Sequence, residues 1–136
     1  MDFLGRKIVV PQNVFSPVPW EHNLLAKTVL REVKETDSVL DMGTGSGVQA
    51  ILAASKSSNV TAVDVNPFAA ECAKANAKLN KLSSRITVKE SDLFENVKGK
   101  FDLIVFDPPF RWFEPRDMWE RSSADKEYCT LKLFFE

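Results

Sequence analysis

The sequence Ser-Val-Leu-Asp-Met-Gly-Thr-Gly-Ser-Gly at residues 38–47 decides the fold. It begins with the apolar pair Val39 and Leu40, which is typical of a short buried strand. Glycines then follow at alternate positions: Gly43, Gly45 and Gly47. This spacing predicts a tight turn into a helix that opens near Ser46. A strand, a glycine turn and a helix in succession indicate a ligand site, because glycines let a ligand approach the backbone and the amides at a helix start point outward.

Acidic residues near this turn narrow the choice of ligand. Asp41 ends the strand, where a carboxylate would repel a pyrophosphate and favour a positive group such as an amino acid ammonium. No lysine follows until Lys56, so a P-loop phosphate cradle is not predicted. A second apolar strand at residues 60–64 ends in Asp64, about 20 residues past the turn, where a carboxylate accepts from ribose hydroxyls. The predicted ligand has a ribose and a cationic end, and no phosphate.

A second motif, Asp107-Pro108-Pro109-Phe110, follows an apolar run. The glycine stretch resembles motif I of class I methyltransferases, which use S-adenosylmethionine. Residues 107–110 resemble the Asp/Asn-Pro-Pro-Tyr/Phe motif of members that methylate planar amino nitrogens. The resemblance covers roughly residues 3–110 and places these residues at the cofactor: Asp41, Gly43, Thr44, Gly45, Gly47, Asp64, Val65, Asp92, Leu93 and Asp107. It makes Asp107, Pro108, Pro109 and Phe110 the catalytic residues.

The chemistry of a planar amino group explains this second motif. Its lone pair is delocalised, so attack on a sulfonium methyl requires hydrogen-bond acceptors. Asp107 and the Pro108 carbonyl can each accept one amino hydrogen, the two prolines fix that carbonyl, and Phe110 can stack on a planar substrate. Neither a metal nor a covalent intermediate is expected. The alternative is a strand that simply ends in a rigid Pro-Pro turn.

The segment Ser-Asp-Leu-Phe at residues 91–94 is similar to the family position that binds the adenine of the cofactor. There an acid accepts from the adenine amino group and an apolar neighbour packs on the ring. The resemblance therefore assigns Asp92 and Leu93 to adenine. A surface turn is the alternative, since Asp is common in turns.

The substrate stays open between adenine, guanine and glutamine nitrogens. Asp107 stands where the release-factor glutamine methyltransferases have Asn, and Phe110 where they have Tyr. Asp-Pro-Pro is more similar to adenine amino methyltransferases, and a terminal Phe to ribosomal RNA guanine methyltransferases. Cations interleaved with aromatics after the motif favour RNA or DNA over protein as the partner. The arginines and aromatic residues of this segment are Arg111, Trp112, Phe113, Arg116, Trp119 and Arg121.

Residues 1–20 are predicted to form an N-terminal arm or lid outside the core, with a short hairpin at residues 8–11. Residues 14–21 are similar to the segment before the catalytic domain in release-factor glutamine methyltransferases; a connecting surface loop is the alternative.

A helix follows over residues 21–35 and buries one apolar face, formed by Leu24, Leu25, Val29, Leu30 and Val33. His22 begins it, as a capping or surface residue rather than a catalytic one.

The alternation of strands and helices predicts a doubly wound α/β fold with a mainly parallel sheet in the order 3-2-1-4. Residues 86–90 alternate apolar and polar, as an edge strand does, whereas residues 101–106 are almost continuously apolar, as an internal strand is. Asn66 and Pro67 are expected to begin a helix that reaches about residue 80, with a solvated face of lysines. These are Lys74, Lys78 and Lys81.

Composition is that of an ordinary globular protein of 136 residues, with 44% hydrophobic and 27% charged residues. We expect one methyltransferase domain over residues 1–136, with a core at 21–136. The net charge of −1 gives no general attraction to nucleic acid, so such binding needs a local patch. Cys72 and Cys129 are far apart and predict reduced thiols. With neither a signal peptide nor a membrane span apparent, a cytoplasmic enzyme is expected.

The sequence thus predicts an S-adenosylmethionine-dependent N-methyltransferase. The alternatives are a cofactor-fold binding or assembly module without catalysis, and a nucleotide-binding oxidoreductase. Strands 5, 7 and 6 of the class I fold have no counterpart, and residues 125–136 resemble the helix that precedes them. We therefore expect an N-terminal portion of a longer protein, whose fourth strand is a bare apolar edge. Alone, it is expected to dimerise or aggregate through that edge and the terminal aromatics, with little activity.

Overall fold

The computed structural model describes residues 1–17, 23–111 and 113–136. The strands are β1 (Asp2–Phe3), β2 (Arg6–Lys7), β3 (Ser38–Met42), β4 (Asn59–Asp64), β5 (Ile86–Glu90) and β6 (Leu103–Phe106). The α-helices are α1 (Asn23–Glu32), α2 (Val48–Ala54), α3 (Pro67–Leu79), α4 (Met118–Arg121) and α5 (Cys129–Phe135), and a 3-10 turn spans Lys126–Tyr128.

Strands β3 to β6 form one parallel sheet in the order β5-β4-β3-β6. Counted from β3, this is the order 3-2-1-4, so the predicted doubly wound α/β arrangement is confirmed. Because every strand runs in the same direction, the carboxyl ends of β3, β4 and β6 meet at one edge of the sheet. Asp41, Asp64 and Asp107 each lie within one residue of those strand ends, which brings them to the same edge.

Both faces of the sheet bury apolar side chains. Helices α1, α2 and α3 cover one face, where a cluster includes Val29, Ile51 and Val105. Alanines make up three of the seven residues of α2 and four of the six buried residues of α3, so these helices pack closely on the strands. On the other face Leu40, Met42 and Val63 are covered by apolar side chains that come from the chain after β5. They are Leu93, Val97, Phe101, Phe106 and Phe134.

The predicted start of α3 is confirmed. The Asn66 side-chain oxygen accepts from the Phe68 N–H at 3.0 Å, and Pro67 occupies the first helical position. Residue Asn80 caps the other end, close to the predicted boundary. Capping by side chains satisfies N–H groups that the helix itself leaves unpaired.

The first 17 residues differ from the predicted arm. The hairpin forms at β1 and β2 instead of at residues 8–11, because Leu4 and Gly5 adopt positive φ angles of 49° and 78° that close a tight turn. The backbone of Val9 then exchanges two hydrogen bonds with the Asn76 side chain, at 2.9 and 2.8 Å. Phe3 and Ile8 belong to the core. The prediction that this segment stays outside the core is therefore wrong.

The first helix ends earlier than predicted. It ends at Glu32, and Leu24, which was assigned to its buried face, is 77% exposed. Leu24 precedes Leu25 by one residue and so lies about 100° away from the face that packs on α2. The predicted first residue Glu21, together with His22, lies outside the described residues, as do Val18, Pro19, Trp20 and Trp112.

Strand β6 is an edge strand among the described residues, since it pairs with β3 alone. Its predicted internal position is therefore not realised within this chain, and Ile104 remains 43% exposed.

Residues 126–135 form the 3-10 turn and α5 instead of one continuous helix, because Glu127 and Tyr128 have φ angles of 53° and 58°. None of the described helices combines the length and apolar character needed to cross a membrane.

Candidate ligand-binding site

The glycine turn is held between the ends of β3 and β4. The Thr44 N–H donates to the Val63 carbonyl at 2.9 Å, and the Gly47 N–H donates to the Thr44 carbonyl at 2.8 Å. Gly43, Gly45 and Gly47 have φ angles of 68°, 56° and 86°, a region that side chains disfavour. The three glycines are therefore required by the backbone of the turn.

Gly47 also packs tightly against α3. A Cβ atom at this position would lie 3.0 Å from the Ala73 Cα and 3.1 Å from its Cβ, whereas one at Gly45 would meet nothing within 4 Å. Gly47 thus permits close contact between the turn and α3. Gly45 has open space beside it on the side where a ligand can approach.

Replacing Gly47 with alanine is expected to lower the free energy of unfolding by about 2–4 kcal/mol. The left-handed conformation accounts for about 1–2 kcal/mol and the clash with Ala73 for the rest. Gly45→Ala is the matched control, because it has the same backbone strain without the clash and should lose only the smaller amount. Urea unfolding of the two variants measures the difference. Equal losses would show that packing on Ala73 is not what Gly47 provides.

Asp41 is buried beneath the turn, with 3% of its surface exposed. Its Oδ2 accepts from the Thr44 hydroxyl at 2.6 Å and from the Ala50 N–H at 3.0 Å. Burial raises the pKa of Asp41 to about 7, the two hydrogen bonds oppose this rise, and the charges of Asp64 and Asp107 add to it. The carboxyl group therefore titrates near neutral pH, and a cation bound beside it would keep it ionised.

Asp64 uses its two carboxylate oxygens to brace the turn. Oδ2 accepts from the Gly45 N–H at 2.8 Å, and Oδ1 accepts from the Asn66 N–H at 2.9 Å. Burial raises the pKa of Asp64, and backbone N–H groups together with the charge of Arg121 counteract that effect. Each carboxylate oxygen retains a further lone pair, so Asp64 can still accept from a ligand hydroxyl.

A cavity of about 550 Å³ opens along the carboxyl edge of the sheet. Nearly all predicted site residues line it: Asp41, Gly43, Thr44, Gly45, Asp64, Val65, Asp92, Leu93, Asp107, Pro108, Pro109 and Phe110. Gly47 is the exception, because it faces α3. The arm contributes Val14, Phe15 and Pro17 to the wall. The structure thus brings together residues that lie more than half the chain apart in sequence.

The Asp107-Pro108-Pro109-Phe110 motif forms one side of the cavity mouth. Phe110 is 69% exposed, and the Arg111 guanidinium carbon lies 5.9 Å from the centre of its ring. An aromatic ring that is this exposed presents a flat face to a planar group.

Among the residues that the structure describes, no three side chains of His, Cys, Asp or Glu are placed together so that they could hold a metal ion.

Two of the polar side chains in the cavity wall, those of Arg121 and Gln49, are not among the predicted cofactor-binding or catalytic residues. Arg121 in α4 lines the cavity and donates to the Asp92 carboxylate at 2.8 Å. Gln49 in α2 also lines the cavity, and its side-chain oxygen is buried with no hydrogen-bond donor among the described residues. Neither residue belongs to a motif, so only the fold reveals their positions.

A parallel sheet with acids at its carboxyl edge, a glycine turn and an Asp-Pro-Pro-Phe segment defines a Rossmann-like methyltransferase domain. The model of the methyltransferase small domain family matches residues 6–118, which is most of the chain. The chain belongs to the methyltransferase small domain family, and the resemblance seen in its motifs is confirmed.

Two curated relatives of the chain are named as glutamine methyltransferases. A Methanocaldococcus jannaschii protein described as an N5-glutamine methyltransferase is 44% identical over 107 residues, which cover 78% of this chain and 52% of that protein. The release factor glutamine methyltransferase of Streptococcus pneumoniae is 40% identical over 112 residues, which cover 80% of this chain and 39% of that enzyme. The chain thus spans about half the length of the first relative and less of the second.

Solved structures share the fold. The tRNA m1G37 methyltransferase of M. jannaschii superposes with a TM-score of 0.72 at 31% identity, covering 80% of this chain and 34% of that one. Trm5b of Pyrococcus abyssi gives a TM-score of 0.73 at 28% identity, covering 80% and 32%. Both structures therefore share this arrangement of strands and helices over most of the chain.

Proposed function

We propose that this domain transfers a methyl group from S-adenosylmethionine to a planar amino or amide nitrogen. The observation that carries the proposal is that Asp41, Asp64 and the Asp107-Pro108-Pro109-Phe110 motif line one and the same cavity. A cavity of 550 Å³ is in the range of small-molecule sites. Its acids are suited to an uncharged ribose and an ammonium group, and they disfavour the pyrophosphate that a nicotinamide dinucleotide would place at the turn.

The residues of the turn fit this cofactor. The buried carboxyl of Asp41 gains a counter-ion from the ammonium of the methionine part, and Asp64 accepts from the ribose hydroxyls. Gly45 has no atom within 4 Å of where its Cβ would be, so the backbone leaves room for a ligand. The cofactor supplies an electrophilic methyl group on sulfur. The protein supplies orientation and hydrogen-bond acceptors.

The mechanism depends on Asp107 and the Pro108 carbonyl. Each accepts one hydrogen of the substrate amino group, which turns the nitrogen lone pair away from its conjugated system and toward the methyl group. The fixed backbone of Pro108 and Pro109 keeps this geometry without reorganisation, and Phe110 stacks on the plane of the substrate. Asp107 can then take up the proton that the methylated nitrogen releases.

We propose a glutamine side-chain amide of a protein as the substrate, in place of the nucleic acid that the sequence favoured. That preference depended on a segment of free cations after the motif. In the structure Arg116 is paired with Glu120 and Arg121 with Asp92, so two of the three arginines are engaged within the domain. The names of the two most informative relatives, both glutamine methyltransferases, agree with this choice.

Labelled methyl transfer tests the proposal. The protein is incubated with methyl-tritiated S-adenosylmethionine and with separate protein and RNA fractions from a strain that lacks the gene. We expect label in protein, recovered as N5-methylglutamine after digestion. Label in RNA alone would contradict the substrate assignment, and label in neither fraction would favour a binding module without catalysis.

Two further expectations from the sequence stay proposals. We propose that the protein acts in the cytoplasm, where translation proteins of the kind named for its relatives would meet it. We also propose that a second copy can pair along β6, whose Ile104 is 43% exposed, close to a helix in which Phe135 is 78% exposed.

Replacing Asp64 with alanine is expected to weaken S-adenosylhomocysteine binding by about 1.5–3 kcal/mol, the usual value of a hydrogen bond to a charged group. Titration calorimetry measures this loss. Asp102→Ala is the control, because Asp102 accepts from the Ser38 N–H at the opposite end of the sheet. An unchanged dissociation constant in Asp64→Ala would show that Asp64 does not bind the ribose.

A further inference from the structure

An ion pair between Arg121 and Asp92 forms part of the cavity wall. The Arg121 Nη2 donates to the Asp92 Oδ2 at 2.8 Å, and both residues line the cavity wall. The two side chains are 37% and 42% exposed. An ion pair this exposed adds little to stability, because water screens the charges and holding two flexible side chains costs entropy. Its effect on geometry is therefore more important than its energy.

Asp92 depends on Arg121 for its orientation. Around it, the turn at residues 91–96 is fixed by Ser91, whose hydroxyl donates to the Leu93 carbonyl at 2.8 Å and accepts from the Asn96 N–H at 3.0 Å. These bonds fix the backbone and leave the Asp92 carboxylate free to rotate. Among the described residues its Oδ2 is held by Arg121 alone, and no donor reaches Oδ1. One oxygen is thus anchored while the other is available to a ligand.

Arg121 is itself held in place by the chain around it. We call residues 113–123, which include α4, the α4 strap. The Arg111 N–H donates to the Ser123 carbonyl at 2.9 Å, and the Asp125 N–H donates to the Arg111 carbonyl at 2.7 Å. These bonds attach the end of the strap to the residue that directly follows Phe110. The position of Arg121 is therefore linked to the substrate side of the cavity.

The strap is also fixed internally and to the arm. The Asp117 side chain accepts from the Glu120 N–H at 2.8 Å and caps α4. Glu120 in turn accepts from the Arg116 Nε at 2.8 Å. The ring of Trp119 lies 6.2 Å from that of Phe15, which also lines the cavity. Hydrogen bonds thus hold the strap together, a ring contact joins it to the arm, and the Arg121 ion pair joins it to Asp92.

We propose that Arg121 is a positioning residue for the adenine of the cofactor. It anchors Oδ2 of Asp92 so that Oδ1 points at the adenine amino group, and it ties recognition of the nucleobase to the strap behind the Asp-Pro-Pro-Phe motif. This inference rests on the proposed function, since it takes S-adenosylmethionine as the cofactor. Arg121 lies outside the glycine turn and the Asp-Pro-Pro-Phe motif, on which the resemblance rests. Its role makes adenine binding depend on the α4 strap, which follows the Asp-Pro-Pro-Phe motif in the chain.

Two ligands that differ only at the nucleobase test this role. S-Adenosylhomocysteine has an amino group at the purine position that Asp92 is proposed to contact, whereas S-inosylhomocysteine has a carbonyl oxygen there. We expect the unchanged protein to bind the adenosyl ligand at least about tenfold more tightly, in line with a hydrogen bond to a charged group. In Arg121→Gln this preference should fall to about twofold, through weaker binding of the adenosyl ligand.

Companion variants separate positioning from folding. Arg121→Lys keeps a cation and should retain part of the preference. Asp92→Asn should lose it, and the double variant Asp92→Asn with Arg121→Gln should lose no more, because the two residues act through one contact. Lys126→Gln removes the exposed pair with Glu114, which lies outside the cavity, and should leave both affinities unchanged.

The possible failures are distinguishable. If Arg121→Gln weakens both ligands equally, or weakens neither, the positioning role is wrong while the proposed function stands. If Arg121→Gln is unfolded, an unaltered ligand preference in Arg121→Lys and Asp92→Asn contradicts the role equally well. If the unchanged protein binds neither ligand, the proposed function fails and this inference fails with it.

Discussion

Asp107→Ala is expected to lower the rate of methyl transfer at least ~10²-fold while changing the affinity for S-adenosylhomocysteine only modestly. Asp107 follows β6 at the carboxyl edge of the sheet and lines the cavity mouth together with Pro108. Its proposed partner is the amino group of the substrate. Removing it eliminates one of two acceptors that orient the nucleophile, so the loss is expected in turnover.

Asp107→Asn is the matched control for this prediction. Asparagine has the same shape and keeps one oxygen acceptor but no charge. We expect it to retain more activity than alanine, because hydrogen-bond acceptance orients the substrate amino group. Single-turnover rates with saturating cofactor measure both variants. Near-normal turnover in Asp107→Ala would refute the role of Asp107, and equal losses in both variants would show that its charge matters more than its position.

Affinity for S-adenosylhomocysteine is expected to rise with pH, by up to about 10²-fold between about pH 5 and about pH 7. The cause is Asp41, because burial raises the pKa of its carboxyl group to about 7. Below that value the carboxyl group is mostly protonated and must lose its proton to pair with the ligand ammonium. Each pH unit below the pKa therefore costs up to about tenfold in affinity, and the dependence should level off above pH 7.

The stability of the protein without ligand should change in the opposite direction. The folded pKa of Asp41 lies above its unfolded value, so the folded state holds the proton more tightly. The contribution of Asp41 to stability is then largest below about pH 4, falls as the pH rises toward 7 and is constant above it. Over the same range the ligand gains affinity while the empty protein loses stability.

Two controls isolate Asp41 from the other acids of the cavity. Asp41→Asn cannot ionise, so its affinity should be low and nearly independent of pH. 5′-Methylthioadenosine lacks the ammonium group, and its affinity for the unchanged protein should vary little over this range. Calorimetric titrations across the pH series provide all three profiles. A steep pH dependence for 5′-methylthioadenosine would show that the effect does not come from Asp41.

The central sheet could be predicted from sequence because its signals are local. The apolar strands, the glycine turn and the pair Asn66 and Pro67 each determine their own conformation, and parallel order follows from the alternation of strands and helices. The hairpin at β1 and β2 was missed because its turn includes Leu4, a residue that rarely adopts a positive φ. The fixing of Val9 by Asn76 was equally invisible, since 67 residues separate them.

The candidate site was predictable where its residues belong to motifs. Asp41, Asp64 and Asp107 each lie within one residue of a strand end, so the topology alone brings them to one edge. The pairing of Arg121 with Asp92 depends on how the α4 strap folds back, and no period or motif in the sequence encodes it. The same fold-back engages two of the three arginines whose spacing with aromatics favours nucleic acid. Long-range side-chain pairing is thus what the sequence left undetermined.

The most direct test of the central claim is calorimetric titration of the purified protein with S-adenosylhomocysteine and, separately, with NAD. The account predicts saturable binding of S-adenosylhomocysteine at one site and no measurable heat with NAD, because Asp41 and Asp64 at the glycine turn are suited to an ammonium and a ribose and oppose a pyrophosphate. Binding of NAD without binding of S-adenosylhomocysteine would contradict it.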